Sequence, residues 1–250
     1  MRETIAFIGG GNMATSLIGG LLAGGHPPER VVVVDPASER REYLSKKYAV
    51  QVLPACTDIA ASADVWVLAV KPQVMRAVVS ELPQAAPLVV SVAAGIGLEA
   101  LTSWLKGSPN VVRCMPNTPA LVGAGASALY AAVEVSEEQR AIAQAILESA
   151  GLTVWVASEA EIDAVTATSG SGPAYFFAFM EAMQTCAQDL GLAPETARQL
   201  VLQTAFGAAR MALESGDDPA SLRKKVTSPG GTTERALAIL EEGGFDMLIA

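Results

Sequence analysis

Along the first two thirds of the chain, short uninterrupted apolar runs alternate with segments of helical periodicity, and the last third keeps only the helical pattern. A short continuous apolar run bounded by glycine, proline or charge is the pattern of a strand buried on both faces. Strands are therefore expected near residues 4–8, 31–35, 50–53, 65–70, 87–92 and 110–114, with two more near 125–131 and 152–156. Helices fall between them at 12–24, 38–48, 73–82, 97–105 and 136–150, the last opening on Ser136 as N-cap with Gln139 as its capping-box partner. Strands alternating with helices predict an α/β domain built on a parallel sheet covered on both faces.

From Ser158 onward the β-branched runs stop, and segments rich in Ala, Leu, Met and Phe take over. The expected division is an α/β domain over 1–157 and an all-α domain over 158–250. Tyr175, Phe176, Phe179, Met180 and Met183 recur at helical spacing, as do Leu200, Val201, Thr204, Ala205 and Ala208, and such stripes read as core. A helical domain this apolar and this small cannot bury every face within one chain, so a partner subunit is its natural cover.

Composition narrows the function classes. A net charge of -9 speaks against a nucleic-acid partner, which would need Lys and Arg in excess, and there is no basic patch. The first strand follows Met1 almost directly, with no room for a secretory signal, so a cytoplasmic location is expected. The uncharged stretches 82–98 and 164–180 are broken by polar residues, Pro and Gly, and do not read as membrane spans. Cys56, Cys114 and Cys186 are odd in number and without a CxxC pair, which fits reduced core thiols and neither a disulfide frame nor a metal site.

The chemistry starts at TIAFIGGGNMATSLIGG, residues 4–20. Gly9-x-Gly11-x-x-Ala14 between a strand and a helix matches the dinucleotide fingerprint in its alanine-terminated form, the Rossmann-like arrangement. Asp35 closes the second strand 21 residues after Ala14, where a ribose-binding acid belongs. In an open parallel sheet, ligands bind beyond the carboxyl ends of the strands. Three further loops lie there: Ala69-Val70-Lys71-Pro72, Ala93-Ala94-Gly95 and Cys114-Met115-Pro116-Asn117-Thr118-Pro119. Lys71 reads either as a counter-charge for a phosphate or ribose, or as a solvated loop charge. Ala93, Ala94 and Gly95 are small enough for a flat ring to lie on backbone, and they are equally an ordinary turn. The Asn117 amide serves either to orient a ring or to hold the chain in a turn.

His26, the only histidine, follows the first helix at the far edge of the sheet and reads as a surface loop residue away from the chemistry. Between Ser158 and Leu222 there is neither Lys nor His, which disfavours a hydroxy-acid dehydrogenase, whose alkoxide needs such a group. The polar cluster Thr227-Ser228-Pro229-Gly230-Gly231-Thr232-Thr233 opens a helix that runs through Leu240. It reads as an anion site for a substrate carboxylate, or as a Ser/Thr N-cap with turn glycines.

LRKKVTSPGGTTERALAIL, residues 222–240, together with Ser169-Gly170-Ser171-Gly172-Pro173-Ala174-Tyr175, Met115-Pro116-Asn117-Thr118-Pro119 and Val70-Lys71-Pro72, resembles the pyrroline-5-carboxylate reductase family over nearly the whole chain. The resemblance implies reduction of 1-pyrroline-5-carboxylate to L-proline by NADPH or, less often, NADH, the last step of proline biosynthesis. It also implies a helical dimerisation domain, with dimers often assembled into larger rings. On its terms Ile8, Gly9, Gly10, Gly11, Asn12 and Met13 bind the pyrophosphate, and Ala69, Val70, Lys71 and Pro72 the ribose region. Ala93, Ala94 and Gly95 line the nicotinamide. Asn117, Ser228, Gly230, Gly231, Thr232 and Thr233 hold the substrate in a cleft shared with the partner subunit, the Thr233 hydroxyl donating to the imine nitrogen. A cyclic imine binds already protonated or takes its proton from solvent, which fits the missing acid.

Three features depart from the family pattern. Asp35 stands where many members have a neutral residue; an acid there favours an unphosphorylated ribose, with Ser38, Arg40 and Arg41 beside it to meet a 2′-phosphate. Cys56 replaces a common Asn near the adenosine, and the chain ends at Ala250 inside a helix that members extend. Other readings are a different small nicotinamide or deazaflavin oxidoreductase on the same N-terminal fold, and a nucleotide-sensing dimer without turnover.

Overall fold

The computed structural model describes residues 2–56, 58–83, 87–106 and 110–250. Part of the uncharged stretch 82–98, residues 84–86, lies outside them. The strands are β1 (Ile5–Ile8), β2 (Val31–Val34), β3 (Gln51–Leu53), β4 (Val65–Leu68), β5 (Leu88–Ser91), β6 (Val111–Met115), β7 (Gly125–Ala131) and β8 (Gly151–Trp155). Between them run α1 (Asn12–Ala23), α2 (Ser38–Tyr48), α3 (Asp58–Ala61), α4 (Pro72–Ser80), α5 (Leu98–Trp104) and α6 (Glu137–Glu148). After the sheet come α7 (Glu159–Val165), a π-helical turn (Thr166–Gly170), α8 (Gly172–Asp189), α9 (Pro194–Glu214), α10 (Pro219–Lys225), α11 (Thr232–Glu242) and α12 (Phe245–Ile249).

The eight strands form one sheet in the order β3-β2-β1-β4-β5-β6-β7-β8. β1, β2, β4 and β5 are buried throughout, which is why they carry no polar alternation. Two apolar clusters, one per face, sandwich them: Phe7, Leu17, Ile18 and Leu44 on one side, Trp66, Leu68, Met75 and Leu101 on the other. The Ser136–Gln139 capping box forms with both bonds, Gln139 N–H to Ser136 Oγ at 3.2 Å and Ser136 N–H to Gln139 Oε1 at 3.0 Å.

The sheet is parallel as the pattern predicts, with one antiparallel pairing near its last strands. β7 runs antiparallel to β6, and β8 then pairs parallel with β7. The short turn Thr118–Val122 takes the place of a full crossover helix, so the chain doubles back. On β8, Leu152 and Val154 stay exposed.

His26 is not a surface residue: only 6% of it is exposed, and both ring nitrogens are shut off from solvent. Past α1 the chain folds back, with Gly25 at φ 87° and the His26 N–H donating to Leu21 O at 3.0 Å, and this turn tucks the ring inward. Burial lowers its pKa below the ordinary 6.5. A histidine held neutral binds its proton less readily folded than unfolded, so its contribution to stability is present above pH ~6.5 and is lost as pH falls toward the folded pKa. His26→Gln is expected to flatten this part of the profile, checked by melting temperature between pH 8 and pH 5; equal slopes in both proteins would refute it.

The chain packs as two units, Met1–Tyr175 and Phe176–Ala250. α7 and the π-helical turn, which lie beyond the composition change at Ser158, pack with the sheet strands. In the second unit only Ala197 and Val201 are buried. Apart from Val201, the stripes expected to be core are therefore largely open in the single chain: Phe176 is 68% exposed, Leu200 54% and Phe179 50%. The helices lack apolar partners of their own, leaving that face for another subunit. Cys186 on α8 is exposed for the same reason, unlike buried Cys114, whose thiol burial holds well above its usual range. Among the described residues no helix is long and apolar enough to cross a membrane.

Candidate active site

β1, β4, β5 and β6 are consecutive and parallel, and their register aligns Ile8 with Leu68, Leu68 with Ser91, and Ser91 with Arg113. The loops that follow, 9–13, 69–72, 93–97 and 116–117, thus line one edge of the sheet at strand spacing. Hydrogen bonds continue the pairing past the strand ends: Gly9 N–H to Val34 O at 2.8 Å, Ala69 N–H to Ile8 O at 2.8 Å, Val92 N–H to Leu68 O at 3.1 Å.

Each glycine of the first loop answers a different constraint. Gly9 has φ 102°, and a Cβ on it would stand 2.8 Å from Ala69 O; a Cβ on Gly10 would stand 2.8 Å from Leu44 Cδ1. The fold itself demands those two. Gly11 has φ -67°, open to any residue, and a Cβ there would meet nothing within 4 Å. No described protein atom requires it to be small, which leaves room for a ligand at the start of α1. No side chain caps α1, so its first N–H groups and its partial positive charge face that space. The residues fit a pyrophosphate.

At the β2 end the Asp35 carboxylate accepts Gly10 N–H at 2.8 Å and Ala37 N–H at 2.9 Å, tying the glycine loop to the start of α2. Arg40 donates through Nε to Gly10 O at 2.9 Å and through Nη2 to Thr15 Oγ1 at 2.8 Å. Arg41 donates to the carbonyls of Asp35 and Pro36 at 2.8 and 2.7 Å. Both arginines thus brace the loop backbone, whereas the side chain of Ser38, the exposed first residue of α2, takes part in no hydrogen bond among the described residues. Cys56 is half-buried, and burial raises its thiol pKa.

Lys71 precedes Pro72 at the start of α4, exposed and in no ion pair among the described residues. Gly95 turns the loop after β5 at φ 73° with open space beside its Cα. Asn117 is buried, its amide donating to Ser169 O at 3.0 Å and accepting Ala126 N–H at 2.9 Å, so it fastens the β6–β7 turn to the π-helical turn.

In the second unit, residues 228–231 form a turn ahead of α11, with Gly231 N–H on Ser228 O at 3.0 Å and Gly230 at φ 73°. No side chain caps α11. Glu234 Oε2 accepts Gly230 N–H at 2.7 Å, so the turn seats a carboxylate at that amide. The Thr232 and Thr233 hydroxyls take part in no hydrogen bond among the described residues.

Sequence reasoning missed Arg113 and Glu159. Arg113 lies buried in β6, and its Nη1 donates to Glu159 Oε1 at 2.6 Å. A signal for it exists: a charge inside the apolar run Val111–Met115. A cavity of about 360 Å³ beside it is lined by Gly95, Gly97, Arg113, Glu159, Ala160 and Asp163.

Two family models match the chain: pyrroline-5-carboxylate reductase dimerisation over residues 159–250, and NADP oxidoreductase coenzyme F420-dependent over residues 4–95. The pyrroline-5-carboxylate reductase of Pseudomonas aeruginosa is 52% identical over 248 residues, spanning 98% of this chain and 91% of that protein. A solved structure of the Coxiella burnetii pyrroline-5-carboxylate reductase superposes with a TM-score of 0.93 at 43% identity, covering 100% of this chain and 94% of that one. The Plasmodium falciparum pyrroline carboxylate reductase, solved with NADP bound, gives 0.87 at 28% identity over 99% and 92%. With its glycine cradle, its parallel sheet edge and these matches over both halves, the chain belongs to the pyrroline-5-carboxylate reductase family.

Proposed function

We propose that the protein reduces 1-pyrroline-5-carboxylate to L-proline at the expense of NADPH or NADH, closing proline biosynthesis in the cytoplasm. The single observation that carries the cofactor half is the Gly11 opening: two glycines the fold needs, and a third that leaves room for a ligand. When bound, the reduced nicotinamide supplies a hydride. The chain's own part is positioning. The amides at the start of α1 hold the pyrophosphate, Asp35 and Ser38 face the ribose, Lys71 and its neighbours Ala69, Val70 and Pro72 flank it, and Ala93, Ala94 and Gly95 carry the ring.

Ser228, Gly230, Gly231 and Thr232 take the substrate carboxylate on backbone and hydroxyl donors, replacing Glu234 at Gly230. Thr233 donates its hydroxyl to the imine nitrogen. Asn117 serves this arrangement through the backbone it holds. Such placement is worth about 7 to 11 kcal/mol of barrier in favourable cases, enough for a reaction that needs no strong protein acid. The exposed apolar face of the helical unit makes a homodimer, and dimers gather into a larger ring.

The test is loss of absorbance at the reduced-nicotinamide band with 1-pyrroline-5-carboxylate, NADPH and NADH in parallel. Oxidation with proline as product supports the reading, and the ratio reports whether Asp35 governs the ribose pocket. No oxidation by folded oligomer would turn the reading toward another reductase on this fold, or toward a nucleotide sensor.

A further inference from the structure

We propose that Glu159 is a positioning residue for the nicotinamide, setting the loop 93–97 through its contacts with Arg113 and with the start of α5. This rests on the reading that Ala93, Ala94 and Gly95 line the ring.

One oxygen, Glu159 Oε1, accepts two hydrogen bonds from different elements: Arg113 Nη1 of β6 at 2.6 Å and the backbone N–H of Leu98 at 2.7 Å. The second supplies what α5 lacks. Its N-cap is Gly97, which has no side chain to satisfy the first N–H groups, so a carboxylate from α7 does so from 61 residues away. A Cβ on Gly97 would lie 3.4 Å from the same oxygen, which places the backbone of the loop against the carboxylate.

The Arg113 side chain is only 7% exposed, between buried Val112 and Cys114 in β6. A buried ion pair is weak evidence for stability, because hydrophobic replacements of similar volume are often neutral or better. What the pair does supply here is a fixed address for Glu159. The loop needs one: Ala93, Ala94 and Gly95 have almost no side chain with which to anchor themselves. Pairing past β5 holds one end of the loop, and Glu159 holds the other. Between them Gly95 faces open space, and the cavity of about 360 Å³ adjoins it. The pyrophosphate cradle of β1 and α1 shares none of these contacts. Loosening Glu159 should therefore disturb the seat of the ring and spare the grip on the rest of the cofactor.

The experiment compares wild type, Glu159→Ala and Glu159→Gln as full-length proteins. NADPH binding is read by energy transfer from tryptophan, ring seating by the emission maximum of bound NADPH, and turnover with 1-pyrroline-5-carboxylate. In Glu159→Ala the NADPH Kd is expected to stay within about threefold, while the emission moves toward that of free NADPH and kcat falls roughly tenfold or more, the scale set by misplacement of reacting groups. Glu159→Gln keeps an acceptor oxygen at the same reach and should restore emission and kcat to within about threefold. Asp163 lines the same cavity as Arg113, so the alanine variant keeps a carboxylate in that cavity. If that variant does not fold, Glu159→Asp, too short to reach both donors, takes its place with the same expectation.

Unchanged emission and kcat, a Kd that rises in step with the loss of kcat, or a glutamine variant as impaired as alanine would each overturn the proposal. The emission arm needs no substrate. A wild type that binds NADPH with shifted emission but reduces nothing would therefore fail the proposed reaction and still decide the role of Glu159.

Discussion

Replacing Gly11 by valine is expected to remove NADPH binding while leaving the protein folded. At φ -67° and ψ -172° the backbone of Gly11 is one that any residue adopts, and a Cβ there touches no protein atom within 4 Å. The fold loses at most the small preference of an N-cap position for glycine over valine. The ligand loses the room in which its pyrophosphate meets the first amides of α1. Exclusion from that contact should cost about 3 kcal/mol or more, a weakening of roughly 100-fold. The comparison that gives this result its meaning is Gly9→Ala. There φ is 102° and the added methyl would stand 2.8 Å from Ala69 O, so the fold itself must yield and the melting temperature should drop. Titration of tryptophan fluorescence with NADPH, beside thermal melts of both variants, separates the two effects. A Gly11→Val protein that binds NADPH as tightly as wild type would remove the fingerprint from the site.

The same contrast marks what amino-acid order alone can display. Strands buried on both faces are legible because continuous valine and isoleucine runs have few other uses, and the glycine loop is legible because its spacing follows from backbone geometry. The reversal at β7 is not, since the turn Thr118–Val122 gives no sign in the sequence of which way the next strand will run. His26 misleads for a related reason: its place after the first helix, at the far edge of the sheet, suggests a surface loop, and the chain's return onto Leu21 O tucks the ring inward. Arg40 and Arg41 illustrate a limit of a different kind. Their charge suits a 2′-phosphate, and the bonds that Arg40 Nε and Nη2 and Arg41 Nη1 also make to Gly10, Thr15, Asp35 and Pro36 are ones that spacing alone does not reveal.

In the helical unit the periodicity is a true signal of helices, and an internal core is the wrong consequence to draw from it. Apolar stripes mark a face that must be buried; they do not say whether by the same chain. Leu213 and Met247 remain more than four-fifths exposed, and burying such side chains is worth about 1.5 to 3 kcal/mol each. A second copy with the same face recovers that energy for both, which is why a chain with so little core of its own past Tyr175 stands as part of an oligomer.

Thr233→Ala is the second large effect, and it should fall on turnover. Thr233 is the second residue of α11. Elsewhere in this chain a threonine hydroxyl near a helix turns back on the carbonyl four residues earlier, as Thr204 does on Leu200 O at 2.7 Å and Thr227 on Arg223 O at 2.6 Å. For Thr233 that position is Pro229, ahead of the helix, and the hydroxyl stays uncommitted among the described residues. A donor kept free beside the amides of Gly230 and Gly231 suits a nitrogen whose charge changes during hydride delivery. Losing it should cost about 1.5 to 3 kcal/mol in the transition state, which lowers kcat roughly 10- to 100-fold. The NADPH Kd should move less than about twofold, because the pyrophosphate is proposed to rest on residues 8–13, which do not include Thr233. Thr233→Ser keeps the donor and should recover most of the rate. Steady-state kinetics and NADPH titration of both variants decide it: equal losses in alanine and serine would point to the missing methyl group, and a turnover unchanged in Thr233→Ala would leave the imine nitrogen to another donor in the same turn.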